Sequence, residues 1–252
     1  MNVLALETAT ENCSVALSVA GETCVLTEQS ARQQARRLLP MIEELLATAE
    51  ISKNQLDAIA FGKGPGSFTG LRVAAAACQG IAYALDLPVA AVSTLAAIAH
   101  QQFRVGQQTH CIPCIDARMS EVYWAAYVTE SVGTNQQLLA DAINKPEQVP
   151  AEIIASSLPA LTGIADSPVE LLPQWQLAGS GAALLHDHFT SVESAERVVA
   201  EVMPDALDVL LLALGVVERG ETVSADQALP VYLRDKVALT EAERGVIKSS
   251  YR

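Results

Sequence analysis

The chain has 252 residues, half of them apolar and 18% charged, with a formal net charge of −13. Such a length buries the core of one large domain or two small ones, and such an apolar share excludes intrinsic disorder. With only 16 Lys and Arg, the chain repels phosphate backbones, so a direct grip on nucleic acid over a broad face is not expected.

In chain order, "NVLALET" (2–8) is short and apolar without alternation, which suits a central strand buried on both faces. "CSVALSV" (13–19) and "TCVLTEQ" (23–29) are two more strands, separated by a turn at Gly21. A helix is predicted over 33–50, with Ala35, Leu38, Leu39, Ile42, Leu45, Leu46 and Ala49 on one stripe and a kink expected at Pro40. "LDAIAFG" (56–62) is a strand, Ser67 caps a helix over 68–85, and "LPVAAV" (87–92) is a strand before the helical "STLAAIAHQQ". The second half repeats this order. Strands are predicted at 109–116, 121–128 and 136–144, then a helix over 147–157, a strand at 175–179 and a helix from "SGAALLHDHF". A last helix runs from Pro204 to about Glu218. The composition break at 102–108 divides an α/β duplicated architecture: 1–104 as the first subdomain, 105–203 as the second, and 220–252 as a strand and tail. The sequence leaves open whether the helix 204–219 packs back on the first subdomain.

The start of the chain lacks a basic leader, and apolar runs such as "VLLLALGVV" (209–217) are too short to span a bilayer. Five irregularly spaced cysteines suit a reducing compartment. A cytoplasmic protein without a membrane partner is the expectation.

The stretch "GKGPGSFTGLR" (62–72) raises the question of a phosphate loop. No lysine and hydroxyl follow the last glycine, since Leu71 and Arg72 stand there, so the Walker pattern fails. A tight strand-to-helix turn is the simpler reading. The helix after it is built from small residues on most faces and must be covered on at least two sides, by its own core or by a second protein. In "LETATENCSVAL", Thr8, Thr10 and Ser14 sit in or beside a polar hairpin turn and are candidates for a vestigial nucleotide or phosphate loop, next to Glu7. The competing reading is an ordinary hairpin. "HCIPC" (110–114), "HDH" (186–188) and the lone His100 lack the second ligand pair that a structural zinc needs, so no metal site is assigned. Asp116, Arg118 and Glu121 fall in a predicted hairpin turn, where an Asp–Arg pair braces the turn or lines a cleft. No catalytic centre is visible in the spacing.

Taken together, "LALETATENCSVAL", "RRLLPMIEELL", "GKGPGSFTGLRVAAAACQGIAYAL", "IDARMSEVYWAAY" and "PVYLRDKVA" resemble the bacterial TsaB (YeaZ) family over nearly the whole chain. The resemblance implies the duplicated actin-like, sugar-kinase and Hsp70 fold. It implies a non-catalytic subunit that works with a catalytic paralogue, TsaD, and an ATPase, TsaE. Together these place threonylcarbamoyl on the adenosine beside the anticodon of tRNAs reading codons that begin with A. The paralogue's two metal-binding histidines correspond here to Thr94 and Ile98, so the metal chemistry is expected to be absent, as is any cofactor. The resemblance also implies that the helices of the first half meet the paralogue, or a second copy when the paralogue is missing. Contacts chosen by helical spacing are Leu39, Ile42, Leu46, Val73, Ala77 and Ile81, and tRNA is expected to be reached only through the complex. A metal-dependent glycoprotease-like peptidase and a stand-alone nucleotide-binding ATPase are the alternatives.

Overall fold

β1 (Val3–Glu7) is buried at all five residues because it has a strand on each side: β2 (Asn12–Val19) runs antiparallel to it, and β4 (Ala58–Gly62) runs parallel. Its lack of alternation therefore has a plain cause, since both faces of a central strand are covered. β3 (Glu22–Gln29) is the antiparallel edge next to β2, with exposure alternating along it, and β5 (Val89–Val92) is the parallel edge next to β4. The order is β3-β2-β1-β4-β5. This computed structural model describes residues 1–29, 33–106, 109–129, 135–149, 175–189 and 197–234.

The second sheet contains β6 (His110–Arg118), β7 (Glu121–Val128), β8 (Gln136–Asn144), β9 (Gln176–Ala178) and β10 (Arg197–Val199), in the order β10-β9-β6-β7-β8. With β6 in the place of β1, the two orders coincide, as do the two antiparallel and two parallel pairings. The fold is the duplicated α/β architecture that the resemblance implies. The three residues of β10, "RVV", are too few to carry a periodicity, so the sequence reading has no strand there. Of the helix predicted over 147–157, the start is a 3-10 turn at Pro146–Gln148, and residues from 150 to 174 lie outside the described residues.

α1 (Gln34–Thr48) continues through Pro40, which is exposed. With α2 (Phe68–Leu85) it covers one face of the first sheet, where Leu38, Met41, Ile42, Leu45, Ala74 and Cys78 meet Leu4, Leu6, Val15, Ile59 and Phe61. By length and composition α2 could cross a membrane, with a mean hydropathy of 1.2. One side of it, with Leu71, Ala74, Ala75, Cys78 and Ala82, is buried in the protein, a third of the helix in all. α3 (Thr94–Gly106) lays Leu95, Ile98, Ala99 and Phe103 on the second sheet, and α4 (Ala182–Phe189) covers that sheet's other face with Ala182 and Leu185. α5 (Ala206–Glu218) returns to the first sheet, where Val209, Leu210 and Ala213 pack on Val3, Ala5, Ala16, Ala58 and Ala60. Alanines on that face of the sheet let the helix approach closely. Since α3 also touches α5, this helix pair joins the two halves.

Candidate functional site

The glycine loop between β4 and α2 lies directly on the turn between β1 and β2. A Cβ on Gly62 would fall 1.9 Å from Glu7 Oε2, one on Gly66 2.6 Å from Ala9 O, and one on Gly70 1.9 Å from Thr8 O. The Ser67 N–H donates to Ala9 O at 2.7 Å, and the Thr8 hydroxyl donates to Gly70 O at 2.7 Å. Gly66 and Gly70 thus keep side chains out of a backbone-to-backbone contact, and Gly62 leaves room for the Glu7 carboxyl. This changes the reading of the candidate phosphate residues. Thr8 and Ser14 are both fully buried, and Ser14 Oγ accepts from the Ala206 N–H at the start of α5, at 2.9 Å. Neither hydroxyl is free for a ligand. Thr10 is half-buried and accepts from the Asn12 N–H at 3.4 Å.

Glu7, at the end of β1, is 1% exposed. Burial pushes its carboxyl up to about 7, partly offset by the Ala9 and Thr8 N–H groups and the Thr94 hydroxyl. Ala9 N–H donates to Oε1 at 2.5 Å, and the Thr94 hydroxyl donates to Oε2 at 3.4 Å. Of the two positions to which the resemblance assigns the paralogue's histidines, Thr94 therefore serves Glu7, and Ile98 is sealed in the α3 core. Among the described residues, no group of three or more His, Cys, Asp or Glu is placed to hold a metal ion.

Two polar clusters nearby tie the halves together. At the start of α3, Ser93 donates to Asp141 of β8 at 2.6 Å, joined by Tyr127 at 3.2 Å and Gln137 at 2.9 Å. Burial raises the Asp141 carboxyl above its usual range. Deeper, His100 is not alone: its Nδ1 lies 2.6 Å from Asp208 of α5, and Arg104 donates to both carboxylate oxygens of Asp208 at 3.0 Å. His100 and Asp208 are both sealed from solvent. Sequence reasoning missed this cluster because its members lie over a hundred positions apart. The available signal was one aspartate inside the apolar run "ALDVLLLALGVV".

The Cys-x-x-Cys of β6 falls apart by strand alternation. Cys111 faces α3, Cys114 faces the opposite core with Ile112, and burial pushes both thiols up. His186 is half-buried on α4, and the His188 side chain lies outside the described residues. Asp116 and Arg118 brace their turn, with Arg118 N–H donating to Asp116 Oδ1 at 2.7 Å and Nη1 donating to Oδ2 at 2.9 Å. Glu121 pairs instead with Arg234.

The outer side of α2 has a different character. Phe68, Thr69, Arg72, Ala76, Gly80, Tyr83 and Ala84 are exposed, with Tyr83 at 84% and Phe68 at 52%. Of the contacts chosen by helical spacing, Leu39 is exposed at 53%. Val73, Ala77 and Ile81 are half-buried against the first core. Ile42 and Leu46 are 1% and 4% exposed within that core, so neither reaches a partner in the folded chain. Helical spacing picks out the apolar stripe, and the stripe belongs to the helix's own sheet. Beside α2, Leu229, Pro230 and Tyr232 form the far wall of a groove of about 510 Å³ whose near wall is Arg72, Ala75, Ala76 and Gln79.

Residues 18–242 match the model of the TsaD family, described as tRNA N6-adenosine threonylcarbamoyltransferase. The chain is 36% identical to the tRNA threonylcarbamoyladenosine biosynthesis protein TsaB of Escherichia coli strain K12, over 94% of this chain and 96% of that one. The TsaB of Haemophilus influenzae is also 36% identical, over 94% and 95% of the two chains. Among solved structures, YeaZ from Pseudomonas aeruginosa superposes with a TM-score of 0.76 at 39% identity, covering 92% of this chain and 99% of that one.

Proposed function

The chain belongs to the TsaB family of tRNA threonylcarbamoyladenosine biosynthesis proteins, and from that premise we propose that it is a non-catalytic docking subunit for a TsaD-type paralogue. The observation that carries this reading is the uncovered side of α2. Ala76, Gly80 and Ala84 form a shallow strip flanked by exposed Tyr83 and Phe68, and a strip of that kind lets another helix come close. A second copy of the chain takes the same face when the paralogue is missing. The transfer chemistry belongs to the paralogue, a TsaE-type ATPase joins the assembly, and tRNA is held by basic surfaces other than this acidic chain. Two features support the absence of chemistry here. Thr94 and Ile98 have no ligating side chains to offer a soft metal, and the hydroxyls of the former phosphate-turn candidates Thr8 and Ser14 are engaged inside the protein.

The test is gel filtration of the purified chain mixed with the TsaD-type paralogue of the same organism. Coelution as a complex is expected, together with no threonylcarbamoyl transfer by the chain alone. Separate elution of the two proteins at micromolar concentrations, or transfer by the chain alone, overturns the reading.

A further inference from the structure

The residues after α5 form no long element, yet they touch four parts of the molecule in turn. Val223 makes an antiparallel bridge with Val89 on edge strand β5, with bonds of 2.9 and 2.8 Å. Ala228 O accepts from Gln79 Nε2 of α2 at 3.1 Å. The Val231 N–H donates to Lys63 O in the glycine loop at 2.7 Å. The Tyr232 ring lies 5.2 Å from the Phe68 ring, and its hydroxyl accepts from Arg72 Nε at 3.2 Å. Two residues on, Arg234 reaches the second half, where it donates to Arg118 O at 3.3 Å and pairs with Glu121.

That last contact falls on an unusual piece of backbone. Arg118, Met119 and Ser120 all adopt left-handed conformations, with φ of 64°, 59° and 59°. Three successive non-glycine residues in that region persist only while their surroundings hold them there. Arg234 is bonded to the carbonyl of the first and to the side chain that follows the last. Only Leu233 separates Arg234 from Tyr232, so the two anchors are at most about 7 Å apart along the chain and little slack lies between them.

We propose that residues 223–234 are a strap that couples the exposed face of α2 to the β6–β7 hairpin of the second half. A protein seated against Phe68, Arg72 and Tyr232 then changes the order of the hairpin at residues 118–121. What pulls the strap rests on the docking function proposed above, whereas the coupling itself is a property of the free chain and is tested there.

The experiment is amide hydrogen exchange on the full free chain. Tyr232→Phe deletes the bond to Arg72 and keeps the ring. It is expected to speed exchange at residues 118–121 about threefold while β1 and β2 stay as slow as before. Arg234→Gln should give the same rise, and adding Tyr232→Phe to Arg234→Gln should give no more. Two results overturn the strap. In one, Tyr232→Phe quickens only residues 228–234. In the other, the effects of the two substitutions on the hairpin simply multiply. A chain that shows the coupling but forms no complex with the paralogue refutes the docking function and leaves the strap standing.

Discussion

Gly70 and Gly80 lie in the same helix, and replacing each by alanine should move stability in opposite directions. At Gly80 the new methyl meets nothing within 4 Å, so the change only removes backbone freedom from the unfolded chain and improves helix propensity. The expected gain is about 0.5–1 kcal/mol, or roughly 1–4 °C in Tm for a chain of this size. At Gly70 the methyl would lie 1.9 Å from Thr8 O, where ordinary contact begins at 3.4 Å. Loop and turn must then separate by more than an ångström. The Thr8–Gly70 bond is lost in a buried place, which leaves two polar groups unsatisfied. A buried unsatisfied group costs about 1–3 kcal/mol. With some strain added and the small propensity gain set against it, the net loss is about 2–4 kcal/mol, a large part of the roughly 5–15 kcal/mol of a typical fold. Urea unfolding followed by circular dichroism reads both signs. A Gly70→Ala protein as stable as the parent would refute the claim that this glycine serves backbone packing against the β1–β2 turn. A Gly80→Ala protein losing more than about 1 kcal/mol would refute the claim that its face is open.

Glu7 should make stability depend on pH. Its folded carboxyl titrates near 7 instead of 4.5, so the unfolded chain gives up the proton first as pH rises. Its contribution is therefore fully present below about pH 4.5 and is lost by about pH 7, at a cost of up to about 3 kcal/mol. Glu7→Gln should flatten that slope and stabilise the protein at about pH 8, and unchanged slopes in paired urea titrations would contradict the burial argument. Asp208→Asn should cost about 2–4 kcal/mol, because Arg104 and His100 lose a sealed anion; a loss under about 1 kcal/mol by the same assay would show that the cluster does not join the halves. Ile42→Ala should lower stability by about 2–5 kcal/mol and leave affinity for the paralogue within about threefold, as measured by calorimetry on the folded protein. A large loss of affinity instead would restore Ile42 to the interface.

What the sequence revealed and what it hid divide along physical lines. Strands β1 to β4 are short apolar or alternating runs bounded by turn residues, helices α1, α2 and α5 are longer apolar-rich segments, and all of them lie where the sequence reading puts them. The duplication was legible because the same element series reads twice, whereas the equal strand order of the two sheets is seen only in the structure. β10 stayed hidden because three residues carry no period. The glycines of the 62–70 loop were recognised as serving a turn, but their neighbour, the backbone of Thr8 and Ala9, is some sixty residues away and leaves no local mark. The same holds for Asp208, whose partners lie on another helix. Of the docking residues expected on α1, Leu39 is exposed, but Ile42 and Leu46 are hidden for a different reason. An amphipathic stripe shows which side of a helix is buried, and Ile42 and Leu46 were buried by their own sheet. The side that is free for a partner is the one with Ala76, Gly80 and Tyr83, where small size and exposure are visible only once the helix is placed.

The account turns on whether the uncovered side of α2 receives the paralogue. Titration calorimetry of the TsaD-type paralogue with the parent chain and with Gly80→Glu decides it. Because the Gly80 site is open within the protomer, the variant should fold with the same circular dichroism spectrum. Burying its unpaired carboxylate in the joint should then weaken binding at least about a hundredfold. Equal affinities for the two proteins, with both folded, would show that the docking surface lies elsewhere.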